Sequence, residues 1–341
     1  MNQQVIIAYC VTSELPKITE EDLKRLSSVH IAFGLINEKG EVYWDRKNTE
    51  GVLSEMRKIN PGLKIVLSIG GWGADGFSQA AATEESRRKF VKSAMKILKE
   101  NHLDGLDIDW EYPCSSQAGI ASSEDDRENF TLLIKELRKQ LDASGDGLSL
   151  SIAAGGEASY LKGTDMAEVQ KYLDYVQLMT YDFHGEFKPV TGHHANLYDD
   201  AVNEEKVCAD RTVRLFEEAG VPVEKMVMGA AFYGRGWIGV PPKNSGLGQI
   251  PKGGDGLHHG YADILRLQAD EQAHYRYCWD DHAKAAYLYN GDSFITYEDK
   301  KALSYKADYV KKHGMHGIMF WEYSEDQTRT LVEHLYEEMN Q

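Results

Sequence analysis

Eight times along this 341-residue chain, a short apolar run is followed by a stretch with helical periodicity. That beat limits the fold more than any other feature. The runs lie at residues 5–9, 29–33, 64–69, 105–109, 148–153, 175–179, 226–232 and 317–321. Between and after them, helices are predicted over 19–26, 50–59, 83–101, 125–141, 166–173, 204–219, 299–313 and 326–339. The signals are local. Thr19-Glu-Glu-Asp22 reads as a capping box, Val52, Leu53, Met56 and Ile59 recur at helical spacing, and Gly220 stops the helix before it. Residues 237–297 break the rhythm, being rich in Gly, Pro, Tyr and His. Eight βα repeats in the remaining residues, about 280 of them, read as an α/β protein, a (β/α)8 TIM barrel. A doubly wound sheet shares the alternation and stays open as the alternative. Residues 237–297 then form a small α+β subdomain inserted between strand 7 and strand 8 of a single domain spanning 1–341. In barrels the loops after strands carry the chemistry, so the insertion is expected to wall the site.

The stretch most informative about chemistry is Leu-Asp-Gly-Leu-Asp-Ile-Asp-Trp-Glu-Tyr-Pro, residues 103–113. Asp107, Asp109 and Glu111 alternate with Leu106, Ile108 and Trp110, and a period of two belongs to a strand. One face therefore carries three carboxylates and the other packs. Neighbouring carboxylates on one face sit roughly 6.6 Å apart at about 3.3 Å per residue. At an effective dielectric near 20 each charged pair repels by about 2.5 kcal/mol. At least one carboxyl is thus expected to keep its proton near neutrality, which a general acid requires. A calcium loop counted from Asp107 would need Gly at 112 and Glu at 118, but the chain has Tyr112 and Ala118. A solvated acidic edge is at odds with the apolar residues between the acids.

The net charge of −16 speaks against nucleic acid and anionic membranes as partners, while a neutral sugar is indifferent to it. No apolar run approaches the ~18 residues of a membrane span. Met-Asn-Gln-Gln-Val-Ile-Ile-Ala-Tyr lacks a basic start and a long apolar core. A cytoplasmic location is the expectation, or secretion if a leader has been removed. Cys10, Cys114, Cys208 and Cys278 are scattered without a CxxC pair and read as reduced core thiols.

Other motifs admit two readings each. Gly71-Trp-Gly-Ala-Asp-Gly76 fits GxGxxG, but the helix after it starts late and no acid follows at the dinucleotide spacing. A glycine turn holding Trp72 over the barrel mouth fits better. Met179-Thr-Tyr181-Asp182 and Phe232-Tyr233-Gly-Arg235 end strands, as does Trp321, so these side chains either pack or face a site. His193 and His194 are adjacent, which rarely gives two ligands on one face, and read as a polar loop.

Together these blocks resemble the glycoside hydrolase family 18 chitinases of the bacterial type. Residues 104–113 carry DGxDxDWEYP, 68–71 carry SxGG and 179–182 carry MxYD. Residues 191–198 resemble TGHxAxLY, and 232–237 resemble FYGRGW. Segments 294–297 and 317–326 resemble the closing blocks. The resemblance runs essentially end to end and departs mainly at His194 and Glu325.

It implies hydrolysis of β-1,4-linked N-acetylglucosamine oligomers or chitin with retention, the substrate's own acetamido oxygen acting as nucleophile. Glu111 would be the acid/base, with Asp109 sharing a proton between Asp107 and the acetamido group. Tyr181 would bond the acetamido carbonyl, and Asp182 would line the same subsite. Trp321 would floor the −1 sugar and Trp72 lie toward +1. Tyr233 and Arg235 would contact sugar from the insertion side, Tyr9 and Phe33 would lie beneath, and Met179 would border the subsite. The resemblance implies a chito-oligosaccharide as partner, no cofactor and no metal, and a monomer. Two rivals stay open: an endo-β-N-acetylglucosaminidase acting on N-glycans, and a non-catalytic chito-oligosaccharide-binding protein.

Overall fold

A computed structural model describes residues 4–47, 49–145 and 147–341. Strands β1 (Val5–Val11), β2 (Ser28–Ile36), β4 (Lys64–Gly70), β5 (Gly105–Asp109), β6 (Ser149–Gly155), β7 (Tyr175–Met179), β8 (Met226–Ala231) and β15 (Gly317–Trp321) are parallel neighbours. β1 pairs with both β15 and β2, so the sheet closes on itself. That closure decides for the (β/α)8 barrel over the doubly wound sheet. β3 (Val42–Tyr43) is a two-residue antiparallel partner of β2.

The outer ring comprises α1 (Glu20–Arg25), α2 (Val52–Ile59), α3 (Phe77–Ala81), α4 (Glu84–Glu100), α5 (Asp126–Ser144), α6 (Ala158–Gly163), α7 (Met166–Val169) and α8 (Ala209–Glu218), then, beyond the insertion, α10 (Lys300–His313) and α11 (Thr330–Met339). Thr83 and Ser86 cap α4 reciprocally, and its Phe90, Val91, Ala94 and Leu98 are buried. At α1 only half of the expected box forms. Thr19 accepts from the Asp22 N–H, while the Asp22 carboxylate instead accepts from the Tyr323 hydroxyl at 2.8 Å. α8 begins five residues later than expected, because the Asn196 amide and the Lys206 ammonium bind backbone carbonyls of 200–207 and hold that stretch as a loop. Between α8 and α10, β9 (Tyr233–Ile238), β10 (Gly253–Gly254), β11 (His259–Gly260), α9 (Tyr261–Ala269), β12 (Arg276–Asp280), β13 (Ala285–Tyr289) and β14 (Phe294–Tyr297) build a second, antiparallel sheet. It starts at Tyr233 rather than 237, since the chain turns directly from β8 into β9.

β5 shows why the barrel has an acidic interior. Leu106, Ile108 and Trp110 point outward and are buried. Trp110 stacks on Phe77 of α3 at 5.2 Å and meets Phe130 of α5 edge-on at 5.9 Å. With that face fixed by helices, alternation sends Asp107 and Asp109 inward. No helix among the described residues is long and apolar enough to cross a membrane.

Candidate active site

The register of the parallel strands sets the innermost acid. Ser68 of β4 and Ser151 of β6 are the neighbours of Asp107 across the sheet, so all three side chains point into the same layer of the barrel. The two hydroxyls donate to the Asp107 carboxylate at 2.7 and 2.6 Å. Tyr9 donates at 2.9 Å and Gln177 at 3.0 Å, and His30 Nδ1 lies 3.8 Å away. Burial alone would raise this group, but His30 and the two serines outweigh it and hold Asp107 below the usual carboxylate range. The bottom rung is therefore a charged acid.

The next two rungs go the other way. Asp109 is raised well above its usual range, first by burial, then by the charges of Glu111 and Asp107. Its Oδ1 is buried with no hydrogen-bond partner among the described residues. Burial also pushes Glu111 up to about 7, against a hydrogen bond from Tyr112, with the Asp182 charge adding to the rise. Repulsion along the strand, expected from the sequence, is thus the smaller cause. Burial is the larger.

Strand β4 ends in a glycine turn that the ladder requires. A Cβ on Gly70 would stand 1.9 Å from the Asp109 carbonyl oxygen, and φ there is +125°. On Gly71 it would stand 2.6 Å from the Phe33 ring. The Gly71 N–H donates to the Asp109 carbonyl at 2.9 Å, tying the turn to the acids and leaving Trp72 60% exposed at the mouth. Gly70→Ala is expected to destabilise the fold by at least about 3 kcal/mol, read by urea unfolding; an unchanged midpoint would contradict this packing.

At the end of β7, Asp182 takes a left-handed backbone (φ 59°), which ends the alternation and lets Tyr181 and Asp182 face one cleft. Asp182 accepts from the Tyr233 hydroxyl at 2.8 Å and from Arg235 Nε and Nη2, each at 2.9 Å. His194 Nδ1 is 3.6 Å away. Burial opposes these contacts, but His194 and Arg235 prevail and hold Asp182 far below its usual range. Among the described residues, the Tyr181 hydroxyl has only the weak acceptor Met319 Sδ, at 3.9 Å. Trp321 stacks on Phe33 at 5.4 Å and 16° and tilts against Tyr9 at 5.8 Å.

These residues line one cleft of about 1430 Å³ at the C-terminal end of the barrel strands. Tyr9, Phe33, Trp72, Asp109, Glu111, Met179, Tyr181, Asp182, Tyr233, Arg235 and Trp321 all border it, with Asp107 buried beneath. Tyr112, Tyr160, Lys162, Phe187 and the 254–258 segment border it too, and sequence reasoning did not single them out. His193 and His194 lie in a loop, as expected, but are fully buried there, where His193 meets Asp280 at 3.1 Å and His194 backs Asp182. One expectation needs correction. All four cysteines are free, but Cys114 is exposed at the cleft edge and Cys278 half-buried.

With this geometry in place, comparison with known proteins narrows the family. The family described as Glycosyl hydrolases family 18 matches residues 5–326. Among curated relatives, chitinase A1 of Niallia circulans is 37% identical over 311 residues, covering 84% of this chain and 44% of that protein. Chitinase B of Serratia marcescens is 29% identical, covering 91% and 75%. The chain thus spans under half the length of the Niallia circulans protein. Among solved structures, a family 18 N-acetylglucosaminidase from Paenibacillus barengoltzii superposes with a TM-score of 0.94 at 45% identity, covering 98% of this chain and 99% of that one. Barrel, acid ladder and these matches agree: the chain belongs to glycosyl hydrolase family 18.

Proposed function

We propose that this protein hydrolyses β-1,4-linked N-acetylglucosamine oligomers with retention, through attack by the substrate's own acetamido oxygen. The observation that carries this reading is the split from β5 to the residue just past it: Asp107 held low, Asp109 and Glu111 both raised, at a cleft bordered by Trp321. A Glu111 raised to about 7 holds a proton for the glycosidic oxygen at neutral pH. Asp107 and Asp109 lie on β5 and Glu111 just past its end, in one file along the chain, which suits a mechanism with no enzyme nucleophile.

In this reading Glu111 protonates the leaving oxygen while the acetamido oxygen closes on the anomeric carbon. The acetamido N–H meets the Asp109 carboxyl, whose Oδ1 has no partner among the described residues, and the Tyr181 hydroxyl donates to the acetamido oxygen, leaving its poor contact with Met319. Both stabilise the oxazolinium as charge builds. Glu111 then takes the proton of the water that reopens the ring. Asp182, fixed by Tyr233 and Arg235, offers the sugar an acceptor of set position. Trp72 lies toward +1, where an exposed indole suits a sugar face.

The test is paired. Chitohexaose should be cleaved with initial β-anomer products, and the matched glucan hexamer should be inert; brisk glucan cleavage would rule out acetamido participation. A second reading, release of single N-acetylglucosamine units, is favoured by the Paenibacillus barengoltzii N-acetylglucosaminidase likeness. Product sizes from the same time course separate the two. The substrate we favour is soluble oligomer rather than crystalline polymer. A reducing-sugar assay distinguishes catalysis from binding alone, and an N-glycan substrate tests the endo-glycosidase alternative.

A further inference from the structure

Beneath the rim of the cleft lies a buried ion pair that the chemistry above does not use. Lys306 of α10 is 1% exposed and Glu298, just after β14, is 2% exposed; their charged ends are 2.8 Å apart. Both charges have been taken out of water, and such a pair is a poor source of stability compared with apolar packing of the same volume. Its position points to another role. The ladder between β7 and β8 stops at Leu178 opposite Met228, whereas β8 goes on pairing with β15 as far as Ala231 opposite Trp321. Past Leu178 the two strands part, and the backbone groups that lose their ladder partners fall to the ion pair. Lys306 Nζ donates to the Gly229 carbonyl at 2.8 Å and lies 3.4 Å from the Thr180 carbonyl. Glu298 Oε2 accepts from the Ala231 N–H at 2.6 Å. The Thr180 hydroxyl completes the bridge, donating to the Gly229 carbonyl at 2.7 Å and accepting from the Gly229 N–H at 3.0 Å.

The residues next along each parted strand are those of the site. Thr180 precedes Tyr181 and Asp182, and Ala231 lies two before Tyr233. Gly229 is also the wall behind Tyr181: a Cβ there would come within 2.9 Å of the phenol ring. The ring thus rests directly on the peptide that Lys306 holds.

We propose that Lys306 and Glu298 are positioning residues, whose buried pair holds β7 and β8 apart at a fixed spacing and so sets the Tyr181 hydroxyl for the closing acetamido ring. The proposal rests on the acetamido mechanism above, and the experiment separates the two. Lys306→Met with Glu298→Gln removes both charges together and leaves an acceptor for the Ala231 N–H, avoiding the lone buried charge of either single change. Thr180→Val, near-isosteric, cuts the same bridge more gently and serves if the double variant does not fold. Each is compared with wild type for kcat, KM, affinity for chitobiose, and affinity for a thiazoline analogue of N-acetylglucosamine, which mimics the cyclised sugar. Thiazoline affinity and kcat are expected to fall about tenfold or more in the double variant, and about threefold in Thr180→Val, while KM and chitobiose affinity stay within about twofold. A folded variant with thiazoline affinity and kcat at wild-type level would overturn the proposal. Wild-type protein that cleaves chitohexaose yet ignores the thiazoline would overturn the acetamido mechanism, and the proposal with it.

Discussion

Glu111→Gln is expected to lower kcat by about 10³- to 10⁴-fold while oligosaccharide affinity changes by no more than about threefold. The amide keeps the shape and the hydrogen bond with Tyr112 but has no proton to give. The same residue sets the pH profile. In the proposed mechanism its acid form is the active one, and burial pushes it up to about 7, so activity should fall as pH rises through that value. Stability falls in the same direction. A carboxyl raised in the folded state binds its proton more tightly there than when unfolded. Its contribution to stability is therefore lost as pH rises from the ordinary carboxylate range through about 7, and above that the charged form opposes folding. Glu111→Gln removes that penalty and is expected to raise unfolding free energy at pH 8 by on the order of 1 kcal/mol. Turnover surviving the change, or a loss of stability at pH 8, would remove Glu111 from the role of acid.

Asp109→Asn is expected to cost about 10²- to 10³-fold in kcat with little change in KM. Asp109 is raised by burial first and then by Glu111 and Asp107, so the upper two acids titrate together. The wild-type pH profile should accordingly show ionisations that belong to the pair, and the asparagine variant a single one. A profile unchanged by the substitution would show that the two carboxyls do not share a proton.

Much of this site was legible because its determinants are local. β5 runs over Gly105–Asp109, as the alternation of acids and apolar residues prescribes, and β7 and β15 also keep their expected limits. Tyr181 and Trp321 fell in the cleft because a barrel puts every strand's C-terminal end on one rim, and Tyr233 and Arg235 because β9 leaves that rim directly after β8. What stayed hidden depends on contacts across the closed ring. His30, Gln177 and Ser151 hold Asp107 from other strands, and nothing in their own neighbourhood marks them; Ser68 heads the SxGG block, but its partner across the sheet was not legible from that. His194 does lie in a loop, as expected, but adjacency to His193 says nothing about burial, and it sits buried behind Asp182. Tyr160 and Lys162 reach the cleft from α6, a helix too short to leave a periodic trace. The size of the burial effect on Glu111 was likewise out of reach, since spacing along a strand gives repulsion but not the depth of a cleft.

Ring closure has a consequence for how the molecule is made. Val5 pairs with Gly317, and Trp321, which borders the cleft, belongs to the strand that seals the circle. On the ribosome the three acids emerge some two hundred residues ahead of that indole, and Tyr9 waits longer still for the ring it rests against. A nascent chain therefore carries its acid ladder long before the cleft around it can close, and the site is complete only with β15.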